Sequence, residues 1–270
     1  MDSALHYELR ALSEIDQALR ERMFLLMREN FDAVHRDTFE VDLQSKHLVG
    51  LLFDAHRTLQ GFTTYALNPT DCGTDEYDIL YSGDTIIAPA CWGSQELVRG
   101  FGHTIGQLLA GGRRKLYWYL LSMGHRTYMY LVLFFRNFFP AAHSPIGFKN
   151  TSSASSTSST SFVNDQDAEQ RQLEAIARRT SGIIFPEEYN PATGIVRFAQ
   201  PRGQLKSNLA RASFQRRNNQ HVRFFLERNP GFVHGDELVC LALIHPDNIR
   251  SFGRTAVLEG MQTPLSREND

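Results

Sequence analysis

The stretch from Tyr81 to Pro140 sets the strongest constraint on how this chain can fold. It reads as strand, glycine-broken turn, helix, strand, glycine-broken turn, helix. Asp84 to Cys91 is the first strand and ends at Trp92-Gly93. Ser94 to Arg99 opens a helix, with Ser94 as N-cap and Gln95 and Glu96 in the first turn. Leu116 to Met123 is a second, apolar strand. Gly124 to Tyr128 then turns into an aromatic helix, Met129 to Phe139. A βαβα unit of this kind sets the unpaired N–H groups of a helix start beside the end of a buried strand, a seat suited to a phosphate-bearing cofactor.

Upstream, Leu9 to Phe31 predicts an amphipathic helix, because Leu12, Ile15, Leu19, Met23 and Leu26 recur at three- and four-residue steps. Val34 to Val41 reads as a connection, in part helical, and Asp42 to Lys46 as a polar turn. His47 to Asp54 and Gln60 to Leu67 read as paired strands around a turn at Ala55 to Leu59, and Tyr77 to Tyr81 as a further strand. Thr151 to Ser161 contains only Ser, Thr and Ala; it can bury almost nothing and is expected to be a flexible loop or linker. Beyond it come a helix from Asp165 to Arg179 and a strand from Ile195 to Ala199. A helix from Val222 to Arg228 stops at Asn229-Pro230-Gly231, and a strong strand runs from Glu237 to Ile244. The divisions expected are 1–150, a Ser/Thr-rich loop at 151–164, a C-terminal part at 165–255 and a frayed tail at 256–270.

The chain has 270 residues, 42% of them hydrophobic and 21% charged, enough to bury a sizeable core. A net charge of −2 leaves no basic footprint for nucleic acid. Cys72, Cys91 and Cys240 are widely spaced and match neither a disulfide framework nor a metal site, so a reducing cytoplasm is expected, with no metal. The acidic N-terminus lacks the apolar run of a signal peptide, and the longest apolar stretch, Met129 to Phe135, is too short to span a bilayer.

The order helix, strand hairpin, further strand, strand–helix–strand–helix, late strands resembles the GCN5-related N-acetyltransferase (GNAT) superfamily. The residues that carry the resemblance are Asp42 to Asp54, Leu59 to Thr64, Tyr81 to Thr85, Trp92 to Gln95, Ser122 to Tyr128, and Asn229-Pro230-Gly231 with Gly235 to Leu241. They look similar to a subgroup of GNAT-like N-acyltransferases, and the resemblance spans roughly residues 10 to 250. It implies an α/β (α+β) fold: a mixed, central splayed sheet flanked by helices, with an elaborated C-terminal half completing the sheet and shaping an acceptor pocket. It also implies transfer of an acyl group from acyl-CoA, or from an acyl-carrier protein, to an amine on a small molecule or peptide. The superfamily's pyrophosphate loop is usually (Gln/Arg)-x-x-Gly-x-(Gly/Ala); Cys91 to Val98 departs from it, having only Gly93 there.

By the resemblance, the thioester donor lies along the strand at Ile86, Ile87 and Ala88, pairing with its backbone as an added strand does. Its phosphates meet the loop at Trp92, Gly93, Ser94 and Gln95. Tyr128 is the implied proton donor to the leaving thiolate, with Tyr130 second. His125, which titrates near neutrality, and Asp84, which opens the donor strand, are candidate bases for the amine. The aromatic residues Trp92, Tyr117, Trp118, Tyr119, Phe134 and Phe135 suggest a channel for a medium or long acyl chain, since each buried methylene contributes about 0.8 kcal/mol. No G-x-S-x-G motif is present, which favours direct attack over an acyl-enzyme. The competing reading is a non-catalytic binding module that keeps the fold and has lost the pyrophosphate loop.

Overall fold

The alternation of large apolar residues on strand after strand decides the architecture, a sheet covered on both faces. In the computed structural model, which describes residues 5–112, 114–142 and 160–265, the elements run in this order. Strand β1 is His6–Ala11, helix α1 Gln17–Asn30, β2 Phe31–Asp32, α2 Arg36–Gln44, β3 Leu48–Phe53, β4 Leu59–Leu67 and β5 Tyr77–Ile87. Then follow α3 Glu96–Ala110, β6 Lys115–Ser122, α4 His125–Phe134, α5 Thr160–Ile184, β7 Tyr189–Asn190, β8 Ile195–Val196 and β9 Gln204–Leu205. The chain closes with α6 Ser207–Gln215, α7 Gln220–Arg228, β10 Glu237–Ile244 and α8 Ser251–Gly260.

Eight strands form one mixed sheet in the order β1-β3-β4-β5-β6-β10-β8-β7. All neighbours are antiparallel except β5 and β6, which run parallel from Tyr77 opposite Lys115 to Ser82 opposite Leu120. The C-terminal half therefore enters the same sheet, with β10 against β6 over seven residue pairs. The period of two sorts the core. Leu80, Leu116, Trp118, Leu120, Leu238 and Cys240 face α3, α4 and α8. Ile79, Tyr81, Tyr117, Tyr119, Val239 and Leu241 face α5 on the other side, and Val49, Leu51, Phe62 and Ile86 continue that second face under α1 and α2.

Several elements differ from the sequence reading. Leu9 to Ala11 belong to edge strand β1, which pairs with β3, and the first helix begins only after Asp16, whose carboxylate accepts from the Leu19 N–H at 2.8 Å. The segment read as a connection and polar turn is mostly α2. The two strands read at Tyr77–Tyr81 and Asp84–Cys91 are one eleven-residue strand, β5, ending at Ile87; Pro89 breaks the ladder and Pro89–Cys91 forms a 3-10 turn. Helix α4 starts at His125, not Met129, and stops at Phe134. Helix α5 begins at Thr160 and runs to Ile184, while residues 151–159 of the Ser/Thr-rich segment lie outside the described residues. Residues 256–260 of the expected frayed tail are helical: α8 packs against α3 so closely that a Cβ on Gly106 would run into the Val257 carbonyl. Among the described residues no helix is long and apolar enough to cross a membrane.

Candidate functional site

Where β5 and β6 stop pairing, the sheet opens. The last parallel pair is Ser82 with Leu120; β5 runs on to Ile87 beside β4 alone, while β6 stays with β10 and ends at Ser122. A β-bulge sits at the fork. The β4–β5 register shifts between Thr63, opposite Thr85, and Tyr65, opposite Ser82, so Gly83 and Asp84 together face Thr64. A side chain on Gly83 would have its Cβ 2.5 Å from Thr64 Oγ1 and 2.6 Å from Lys46 Cε, so only glycine fits. The bulge reverses the alternation. Asp84, which would otherwise share a face with Leu80 and Ser82, is turned to the α1/α2 face with Tyr81.

On that face a cavity of about 90 Å³ is lined by Asp42, Tyr81, Asp84, Arg202 and Glu237 under a rim of Met27, Phe31 and Phe39. Asp42 is held between two cations, with Lys46 Nζ at 2.9 Å and Arg202 Nη1 at 2.8 Å. The Lys46 side chain is almost wholly buried, its ammonium 4.9 Å from the Tyr81 ring centre, and Arg202 lies 4.1 Å over Phe198. Removal from water pushes the Asp84 carboxyl up to about 7; Asp42 adds to the rise, and Lys46 and Arg202 oppose it. Loss of water likewise pushes Glu237, at the start of β10, up to about 8, against the pull of Arg202 and with the help of Asp84. Two carboxyls that titrate near neutrality thus share one cavity, as general bases require.

A second cavity, of about 140 Å³, lies between the free end of β5 and the start of α4, lined by Thr85, Ile86, Ile87, Trp92, His125, Arg126, Tyr130 and Ser213. The Ala88 N–H donates to the Gln60 carbonyl at 2.7 Å. Antiparallel alternation therefore turns the backbone groups of Ile86 toward β4, and those of Thr85 and Ile87 into the opening. One of them is taken: the Ile87 carbonyl accepts from Trp92 Nε1 at 3.1 Å. A third, apolar chamber of about 30 Å³ sits between α3 and α4, with Phe101, Trp118 and Phe134 as its floor and Tyr130 and Thr85 at its rim. The Trp118 indole is fixed by a 2.7 Å hydrogen bond to Ser82 Oγ, and its ring packs 4.5 Å from that of Phe101. Thr85 lines all three cavities.

The structure brings together Ile86, Ile87, Trp92 and His125 of the sequence-predicted residues around the second cavity, places Asp84 in the polar one, and buries Ala88 just past the end of β5. Gly93 has φ +101 and open space where a Cβ would stand; Ser94 Oγ accepts from the Glu96 N–H at 3.2 Å, and Gln95 is the N-cap of α3. Tyr128 is placed elsewhere: it is fully buried and its hydroxyl donates to the Pro140 carbonyl at 2.8 Å, whereas Tyr130 lines two cavities. His125 is buried and its Nδ1 is 2.7 Å from Ser213 Oγ; burial, then Arg126 and Arg216, lower its affinity for a proton to about 4, so its ring is neutral at pH 7. Of the aromatics expected to line an acyl channel, Trp118 and Phe134 form the chamber floor and Trp92 lines the second cavity. Tyr117 and Tyr119 face α5, and Phe135 is in the core. Sequence reasoning missed Glu237, Asp42, Lys46 and Arg202. Only Glu237 carried a signal, an acid opening a strand as Asp84 was read to do.

No family model matches the chain, and no curated protein is similar to it. Among solved structures it is similar to a conserved Enterococcus faecalis protein described as a probable N-acyltransferase, at 12% identity and a TM-score of 0.37, over 50% of this chain and 33% of that one. The chain thus spans about a third of that protein's length. A GNAT family N-acetyltransferase from Escherichia coli in complex with CoA matches at 15% identity and a TM-score of 0.34, over 50% and 71%. An IAA acetyltransferase from Bacillus cereus matches at 12% and 0.33, over 50% and 80%. What the chain's own sheet shows is a mixed α/β fold whose single parallel seam opens at a bulge, the splayed arrangement that the resemblance to the GNAT superfamily implies.

Proposed function

We propose that the protein is an N-acyltransferase that moves a short acyl group from a thioester to an amine by direct attack. One observation carries this reading: three cavities of different chemistry meet at Thr85, where β5 leaves β6. A polar pocket with two near-neutral carboxyls suits the amine. An open strand edge suits the amide-bearing arm of the donor. A small apolar chamber suits the acyl tail.

In this reading an amine enters beside Asp84 and Glu237 as the ammonium and gives up a proton to one of them. Its nitrogen attacks the thioester carbonyl, the C–S bond breaks, the thiolate takes a proton from Tyr130, and the surplus proton on the new amide nitrogen returns to the Tyr130 phenolate. The Thr85 N–H, directed into the opening, is placed to polarise the carbonyl. The chamber limits the acyl group: about 30 Å³ holds two or three heavy atoms, given that one water needs ~10–15 Å³ of such space. The aromatic residues fill the space that a long chain would need. Either acyl-CoA or an acyl-carrier protein supplies a thioester of this kind; acetyl and propionyl groups fit.

The test is acyl transfer from acetyl-, propionyl-, hexanoyl- and palmitoyl-CoA, and from the loaded carrier protein, to a panel of primary amines, followed by mass spectrometry. Transfer of the two- and three-carbon groups that fails with palmitoyl supports the reading. Binding of thioesters without transfer to any amine would replace it with that of a binding module.

A further inference from the structure

The start of α4 carries positive charge that nothing among the described residues neutralises. Arg126, in its first turn, meets the Trp92 ring at 3.9 Å and has no acidic partner among the described residues. Arg216, just past the end of α6 and three residues beyond Ser213, has none either among those residues. The two are near enough that Arg216, after burial, lowers the hold of Arg126 on its proton. No acidic residue occupies the first turn of α4, and no side chain caps it. Between residues 202 and 228, six arginines and one lysine stand against a single acid, Glu227.

The second observation is independent. His125 is 3% exposed and lines the same cavity as Arg126, yet its Nε2 is buried without a hydrogen-bond partner. An orphan of this kind costs about 1–3 kcal/mol unless something bonds to it. When Ser213 Oγ–H donates to Nδ1, the neutral ring holds its proton at Nε2 and is left with a buried donor that has no acceptor. By contrast, α3 offers a poorer anion seat: Glu96 stands in its first turn and Ser94 already takes the Glu96 N–H.

We propose that the N-terminus of α4, Arg126, Arg216 and His125 Nε2 form an oxyanion site for a phosphate group, displaced from α3 to α4. The helix start supplies N–H groups and the positive end of its dipole, the two arginines the countercharge, and the imidazole one buried donor. Given the acyl-transfer reading, on which this identity of the ligand rests, the phosphate belongs to the donor's phosphopantetheine arm, which reaches the site along Thr85 to Ile87. The C-terminal half then contributes to donor binding through α6 as well as to the sheet.

Isothermal titration of the full chain with inorganic pyrophosphate tests the site without any acyl chemistry. Binding that Arg126→Gln and Arg216→Gln each weaken at least tenfold, with the folding temperature unchanged, is expected. A histidine NMR spectrum should show the Nε2 resonance of His125 shifting on addition. Absence of pyrophosphate binding, or binding indifferent to both substitutions, overturns the proposal. Titration with pantetheine and phosphopantetheine then identifies the source. A tenfold preference for the phosphorylated form, lost in Arg126→Gln, assigns it to the donor; equal affinities overturn that assignment. Loss of the acyl-transfer reading alone would leave the pyrophosphate result intact.

Discussion

Tyr128 and Tyr130 stand two residues apart on one helix and do different work. The Tyr128 hydroxyl is spent on the Pro140 carbonyl inside an aromatic cluster with Phe138, Phe224 and Phe225. Tyr128→Phe should cost about 1 kcal/mol of stability in urea unfolding and leave turnover unchanged. Tyr130→Phe should leave the unfolding midpoint in place and lower kcat roughly 100-fold, the usual scale for a lost general acid. The reverse pattern would return the proton-donor role to Tyr128. The carboxyls make a second prediction at this scale. With Asp84 raised to about 7 and Glu237 to about 8, kcat/KM should climb with pH across that interval, because the base must be ionised to take the proton. Asp84→Asn should abolish most of the activity, and Glu237→Gln should remove the limb near pH 8 and leave the one near pH 7. A profile flat from pH 6 to 9 in the wild-type protein would exclude both.

At the scale of elements, the strands were the legible part and the helices less so. Period-two alternation and β-branched or aromatic runs located β3, β4, β6 and β10 to within a residue or so, because a strand covered on both faces must be apolar along its length. The amphipathic reading of Leu9 to Phe31 ran two elements together, since edge strand β1 and helix α1 each bury only part of their surface. The α3–α8 seam was not legible at all. Its glycines, Gly102, Gly106 and Gly260, stand where backbone meets backbone, and a single sequence gives no hint of the partner helix. Gly106→Ala should therefore destabilise the protein by about 1–3 kcal/mol in thermal or urea unfolding, as overpacking does, although the same change in an isolated helix would stabilise it. The chamber floor is also an element-scale property, built from α3, β6 and α4 together. Phe101→Ala should extend the accepted acyl group by several carbons in the acyl-CoA series, with hexanoyl transfer rising relative to acetyl.

For the molecule as a whole, the half-buried carboxyls tie stability to pH. Asp84 and Glu237 bind protons more tightly in the folded state than their ordinary carboxylate range near 4. The native state then holds more protons than the unfolded one between about pH 4 and 8, and stability falls as pH rises through that window. Urea midpoints should drop between pH 5 and pH 8.5, and Asp84→Asn should flatten the slope; a midpoint that rises over this range would contradict the burial of these groups.

The sequence by itself determined the strand–helix–strand–helix unit and the late strand at Glu237 to Ile244, because these follow from local periodicity and turn chemistry. Only the tertiary structure decided which face Asp84 serves. A one-residue bulge, forced where Gly83 meets Thr64 and Lys46, turns its carboxyl away from the Ser82 face and toward Asp42, Arg202 and Glu237. Those partners come from distant positions in the chain: Arg202 and Asp42, which bond to each other, are 160 residues apart. Such a meeting is fixed by strand order and register, and no local pattern encodes it.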